Sequence, residues 1–232
     1  MHYVIGDIHA NIEQLQALLQ EIAPKKEDTL IFLGDYVDCL PHTEETIDLL
    51  LALAKKYECI FLKGNHEFVW ERYLNHGEIE RQDFFFKCGG METLEKYGKD
   101  AQQALTDNDI ATLKKVLHRY LDLIALTKDF HIIGDYLALH AGLLPEQYDE
   151  KNLQFTETNY FIRPPKIPVE KKYLGRFTLV AGHHYLGEEP TFAPGYINID
   201  LGSRRNKYIG AFCTETGTVI RSDGKRFVVP NI

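Results

Sequence analysis

The sequence predicts an α/β protein in which two β-sheets pack face to face with helices outside. Three observations carry that expectation. Short apolar runs alternate with helical periodicity over the first sixty-odd residues, a helical stretch fills about 67–126, and seven short apolar runs joined by glycine-containing turns follow. No Pro/Gly/Ser linker and no repeat divides the chain. Residues 1–232 are therefore expected to form a single domain, with 67–126 as a helical insertion.

Each element has its own signal. His2 to Ile5 reads as a strand. Asn11 is placed to cap a helix running to about Ile22, with Ile12, Leu15, Leu18, Leu19 and Ile22 on one face and Pro24 beyond its end. Thr29 to Leu33 is the next strand, Thr43 to Lys56 the next helix with Thr43 as its N-cap, and Cys59 to Leu62 the third strand. That β-α-β order predicts a parallel sheet with right-handed crossovers. Polar turns at Asn75-His76-Gly77, Gly89-Gly90 and Gly98 break the insertion into helices, and Phe84-Phe85-Phe86 reads as its core. Strands are expected near 130–134, 136–139, 177–181, 196–200, 207–213, 217–221 and 226–229, forming a mixed or antiparallel sheet of their own.

The composition excludes several classes. With 232 residues and 44% apolar side chains, the chain can bury roughly 70% of its unfolded surface, so neither disulfides nor a structural metal is needed. Cys39, Cys59, Cys88 and Cys213 show no C-x-x-C spacing and read as reduced thiols. The N-terminus lacks a basic region, and Asp7 interrupts its only apolar run, so no secretion signal is expected. The longest apolar stretch, Leu49 to Ala54, has six residues, whereas a bilayer span needs about twenty. No membrane contact and a cytoplasmic location are the expectations. The net charge of −8 is uneven: residues 1–162 carry −13, while 163–176 and 201–232 each carry +4. Two basic islands in an acidic chain suit a rim for an anionic substrate and argue against an extended nucleic-acid partner.

Five apolar runs end abruptly in residues that ligate metals. They are Tyr3-Val-Ile-Gly-Asp7-Ile-His9, Leu30-Ile-Phe-Leu-Gly-Asp35, Ile60-Phe-Leu-Lys-Gly-Asn65-His66, Leu137-Ala-Leu-His140 and Thr178-Leu-Val-Ala-Gly-His183. In open α/β sheets ligands bind outside the carboxyl ends of strands, so these side chains are expected to meet in one crevice. Oxygen and imidazole ligands without thiolates suit Mn, Fe or Zn rather than an iron–sulfur or zinc-finger site. Six ligands exceed what one ion normally needs, which points to two. The glycines before them, Gly6, Gly34, Gly64 and Gly182, permit sharp turns and close approach.

Gly6-Asp7-Ile8-His9, Gly34-Asp35-Tyr36-Val37-Asp38, Gly64-Asn65-His66-Glu67, His140-Ala141-Gly142 and Gly182-His183 resemble, in order, the signature blocks of the calcineurin-like metallophosphoesterases. The branch they most resemble is the phosphoprotein phosphatases, including small bacterial members. Phe86-x-x-Gly-Gly and Tyr160-Phe-Ile-Arg163 fall where that branch places them, so the resemblance spans nearly the whole chain. It implies the two-sheet metallophosphoesterase sandwich and two divalent ions, with Mn foremost and Fe or Zn as alternatives. Asp7, His9 and Asp35 would hold one ion, and Asp35, Asn65, His140 and His183 the other, with Asp35 as the bridge. A water activated between the ions would attack phosphorus in line. His66 would be the general acid for the leaving group, oriented by Asp38. Arg163 and Asn65 would contact the substrate phosphate.

One departure matters. Where most of the family continues Asp-Arg-Gly, with the arginine gripping phosphate, this chain has Asp38-Cys39-Leu40. Loss of one preorganised donor lowers the rate by about 10²–10³ unless another group replaces it. Arg204 and Arg205 are the candidate replacements. Cys39 reads as a small filler, with an oxidation-sensitive thiol as the other reading. His184 competes with His183 as a ligand, and His42 lies near enough to Asp38 to reach the pocket. The resemblance implies a serine/threonine protein phosphatase acting on phosphorylated protein or peptide. A symmetrical dinucleoside tetraphosphate hydrolase is the runner-up, and a metal-binding pseudophosphatase or a phosphodiesterase the more distant readings.

Overall fold

Strands β1 (His2–Ile5), β2 (Thr29–Phe32) and β3 (Glu58–Leu62) pair in parallel, with His2 opposite Thr29 and Thr29 opposite Glu58. Helices α1 (Ile12–Ile22) and α2 (Thr43–Lys56) connect them. The Asn11 side chain accepts the Gln14 N–H at 3.4 Å and starts α1 as expected. At α2 the expected cap shifts by one: His42 takes the N-cap without a side-chain bond, and Thr43 is the first helical residue, buried beneath it. The computed structural model describes residues 1–77 and 87–230. The Phe84-Phe85-Phe86 run and the Phe86 of the Gly-Gly motif lie outside these residues.

The remaining strands divide between two sheets rather than forming one of their own. Strands β4 (Thr127–Lys128), β5 (Phe130–Ile133), β6 (Tyr136–Leu139), β7 (Thr178–Ala181), β8 (Thr191–Ala193) and β9 (Tyr196–Asn198) come first in the chain. The last three are β10 (Gly210–Cys213), β11 (Thr218–Arg221) and β12 (Arg226–Val228). The first sheet has the order β12-β11-β10-β1-β2-β3-β4 and the second β5-β6-β7-β9-β8. β10 runs antiparallel to β1, with Val4 opposite Phe212, so the chain's end returns to the sheet its beginning made. The reason lies in burial on both faces. Every residue of β10 is buried, a pattern that suits a strand flanked on either side and covered above and below.

Side-chain alternation then assigns the faces. Val4, Ile31, Leu62 and Phe212 point between the sheets and meet Ala138, Val180 and Ile197 of the second sheet. Ile5, Phe32, Phe61 and Ala211 point the other way and pack on α1, α2 and the helices that follow β3. Those helices are α3 (Asn65–His76), α4 (Gly90–Thr93), α5 (Lys99–Thr106), α6 (Ile110–Val116) and α7 (His118–Ile124). The outer face of the second sheet, with Leu137, Leu139 and Leu179, is covered by Tyr148, Ile162 and Ile167. That cover is largely irregular chain, with α8 (Thr158–Phe161) as one short helix.

Candidate metal centre

Within each sheet the parallel strands β1, β2, β3 and β6, β7, β9 present their carboxyl ends together. Asp7, Asp35, Asn65, His140 and His183 lie within three residues of the ends of β1, β2, β3, β6 and β7. All are buried, and with His9 and His66 they surround or line a cavity of about 350 Å³. The backbone turns hard to aim them: His9, Asp35, Asp38 and His183 have φ of 50°, 53°, 69° and 64°. Non-glycine residues in that left-handed region are strained and concentrate at functional sites. Gly182 is glycine because of close approach, since a Cβ there would collide with Asp7 Oδ1.

The donor chemistry of the cluster calls for cations. His140 Nδ1 lies 3.0 Å from the Leu33 carbonyl, which places its proton on that nitrogen. Its Nε2 lone pair then faces Asn65 Oδ1 at 2.9 Å and Asp35 Oδ1 at 3.4 Å. Three acceptors meet with no proton among them. Separations of about 3 Å are those of neighbouring ligands on an ion with bonds of about 2.1 Å. His183 Nδ1, 3.2 Å from His140 Nε2, completes this group. His9 repeats the arrangement, with Nδ1 on the Val37 carbonyl at 3.1 Å and Nε2 facing Asp35 Oδ2 at 3.4 Å. Asp35 is common to two sets, His9–Asp35–His66 and Asp35–His140–His183, each with ligand atoms within 4.8 Å of one another.

Around His9 and Asp35 two further side chains are in reach. His66 Nε2 is 3.8 Å from Asp35 Oδ2, and Asp7 Oδ2 is 4.0 Å from His9 Nε2. The Asp7 carboxylate also accepts the His183 N–H at 3.0 and 3.1 Å, tying the two strand ends together. Burial, then the charge of Asp200, holds the Asp7 carboxyl above the usual range, and burial, then Asp7, does the same to Asp35. Burial pushes His9 and His183 down and takes His140 to about 3, so these imidazoles keep free lone pairs at neutral pH. Neutral imidazoles and carboxylates short of a counter-charge are what divalent ions complete.

Beside the cluster stands a buried histidine–aspartate pair. His66 Nδ1 is 2.5 Å from Asp38 Oδ2, and Asp38 is wholly buried. The three arginines singled out in the sequence all line the cavity. Arg163 Nε lies 3.2 Å from His183 Nε2. Arg204 and Arg205 belong to a short 3-10 turn, Ser203–Arg205, pinned by the Ser203 hydroxyl to the Ile8 carbonyl between Asp7 and His9. Arg205 stacks over the Tyr185 ring at 4.4 Å. Burial opposes the Arg204 charge, but Cys39, Cys88 and Asp35 nearby hold its proton affinity above the ordinary value. Burial pushes the Cys39 thiol up to about 12, which makes it a neutral filler. His184 lines the cavity, with Nδ1 buried and without a partner among the described residues. His42 caps α2 and does not line the cavity.

Four residues here lay outside the sequence reading of the site. Asp200 also lines the cavity; the expected strand 196–200 ends at Asn198, which leaves this aspartate just past a strand end like the others. Trp70 and Thr93 both donate to Asp38. Glu67, visible in the sequence only as a letter of the Gly-Asn-His-Glu block, accepts the Asp35 and Gly64 N–H groups.

A two-sheet sandwich with two imidazole–carboxylate groups sharing one aspartate at the strand ends defines a metal-dependent hydrolase site. The calcineurin-like phosphoesterase family model matches residues 3–216, and the chain belongs to that family of dinuclear-metal phosphoester hydrolases. Solved structures agree on the fold. A candidate diadenosine tetraphosphatase is 19% identical, covers 95% of this chain and 91% of its own, and superposes with a TM-score of 0.65. The cold-active protein-tyrosine phosphatase of the psychrophile Shewanella sp. is 15% identical, with 99% and 80% covered and a TM-score of 0.61. A Saccharomyces cerevisiae protein serine/threonine phosphatase with similarity to human phosphatase PP5 is 16% identical, with 100% and 81% covered and a TM-score of 0.59. Among the described residues no helix is long and apolar enough to cross a membrane.

Proposed function

We propose that residues 1–232 act as one catalytic domain that hydrolyses phosphomonoesters of alcohols, with phosphoserine and phosphothreonine in proteins as the substrate class. The observation that carries this reading is the buried His66–Asp38 pair at the edge of the cavity. A leaving alkoxide is a strong base and needs a proton as its bond to phosphorus breaks, which a positioned imidazole supplies. An anhydride releases a far weaker base and gains little from the pair.

Asp7, His9, Asp35, Asn65, His140 and His183 would hold two divalent ions, Mn foremost and Fe or Zn as alternatives. When bound, such a pair supplies Lewis acidity toward the phosphate oxygens and acidifies a water. Asp35 presents one carboxylate oxygen to each histidine group. Arg163, anchored on His183, reaches the phosphate from one wall, and Arg204 and Arg205 supply positive charge from the other in place of the arginine absent at Cys39. His66 keeps Nδ1 on Asp38 and turns Nε2 to the cavity, where it delivers a proton to the leaving oxygen.

The test is phosphate release by Mn²⁺-reconstituted protein from p-nitrophenyl phosphate, a phosphothreonine peptide, diadenosine tetraphosphate and bis-p-nitrophenyl phosphate. Preference for the phosphopeptide supports the proposal. Preference for diadenosine tetraphosphate, whose reading is favoured by the three arginines around one cavity, would replace it with an anhydride hydrolase. Silence on all four with metal bound would indicate a pseudophosphatase.

A further inference from the structure

The Gly89-Gly90 motif takes no part in the ligand set or the phosphate contacts, yet it is pressed against the acid–orienter pair. Gly89 has φ +97°, and a Cβ there would collide with the backbone nitrogen of Cys39. Its carbonyl accepts the Cys39 N–H at 3.4 Å and the Thr93 N–H at 3.2 Å. The turn thereby delivers Thr93, which is fully buried, to Asp38. Thr93 Oγ1 accepts the Asp38 N–H at 3.0 Å and donates its own proton to Asp38 Oδ1. The Trp70 indole N–H reaches the same oxygen at 3.1 Å. The indole N–H also lies 3.2 Å from Oδ2, so Thr93 holds Oδ1, Trp70 bridges the two oxygens, and Oδ2 carries His66 Nδ1.

We propose that Thr93 is a positioning residue for the general acid, so that the insertion sets which leaving groups the enzyme releases. The inference rests on His66 acting as that acid. As water adds to phosphorus and the ester P–O bond breaks, its electron pair goes to the leaving oxygen, which takes the proton from His66 Nε2. The imidazole left behind keeps its Nδ1 proton on Asp38 and must not turn. Swinging Asp38 away would break the bonds of Thr93 and Trp70 together, so the hydroxyl holds the imidazole in register. The more basic the leaving oxygen, the more that register matters.

The experiment compares kcat/KM of Mn²⁺-reconstituted wild type, Thr93→Val, Thr93→Ser and His66→Asn on phenyl, p-nitrophenyl and 2,4-dinitrophenyl phosphate, with metal content measured for each. For Thr93→Val, which keeps the shape without the hydroxyl, we expect a loss of about tenfold to a hundredfold on phenyl phosphate, shrinking to about twofold or less on 2,4-dinitrophenyl phosphate. Thr93→Ser stays close to wild type, and metal content is unchanged in both. If valine is not tolerated, Thr93→Cys, a weaker donor, gives the same graded loss in smaller measure. A loss equal across all three esters, or none, alongside a graded loss in His66→Asn, would overturn the role of Thr93. An ungraded loss in His66→Asn would instead remove the acid assignment on which it rests.

Discussion

The Glu67 carboxylate takes four donors with no exposure to solvent. Oε2 accepts the Asp35 N–H at 2.7 Å and the Gly64 N–H at 3.0 Å, while Oε1 accepts the Tyr36 N–H at 3.0 Å and the Tyr120 hydroxyl at 2.8 Å. One side chain thereby fixes the loops after β2 and β3, which carry Asp35 and Asn65, and binds both to α7. Glu67→Gln turns one oxygen into a donor facing two donors, and at roughly 1–3 kcal/mol per unmatched buried group it should cost about 3 kcal/mol, read from denaturant unfolding. The Gly-Asn-His-Glu block was legible in the sequence, but this role was not, because its partners stand up to 53 positions away. Thr93 and Asp38, 55 positions apart, were hidden for the same reason. Asp7, Asp35, Asn65, His140 and His183 were legible because each ends its own apolar run, a purely local pattern.

At the scale of elements, β1, β2 and β3 follow from apolar runs separated by periodic helices, and their parallel pairing follows from the crossover length. The return of β10, β11 and β12 to the first sheet did not follow. Antiparallel partners are chosen by side-chain fit across more than 200 residues, as between Val4 and Phe212, and no local signal records that choice. β4 and β8 went unseen because two or three residues are too few to show a period. Phe212 lies between the sheets with Val4, Ile31, Val180 and Ile197, and stacks edge-on against Tyr136 at 4.9 Å. Phe212→Ala is expected to destabilise by about 3–5 kcal/mol. A fall in Tm of several degrees, with metal content retained, is the expected result, and an unchanged Tm would place the joint between the sheets elsewhere.

Over the whole molecule, two sheets of separate origin in the chain close on one buried set of charges. Folding without ions is expected to strain that set from both sides of neutrality. Asp7 and Asp35, raised well above their unfolded values, lose stability relative to the unfolded chain as pH rises from the ordinary carboxylate value toward the raised ones. His140, lowered to about 3, contributes stability that is present above the ordinary histidine value and is lost as pH falls toward 3. Divalent ions relieve both strains by matching ionised carboxylates and neutral imidazoles, so binding releases protons and tightens as pH rises. The most direct test of the shared-aspartate centre is a calorimetric titration of metal-stripped protein with Mn²⁺ at two pH values, with phosphate release followed on the same samples. Two ions per chain are expected, bound more tightly at the higher pH, with turnover appearing as the pair fills and both lost together in Asp35→Asn. A single ion per chain, or undiminished turnover in Asp35→Asn, would contradict it.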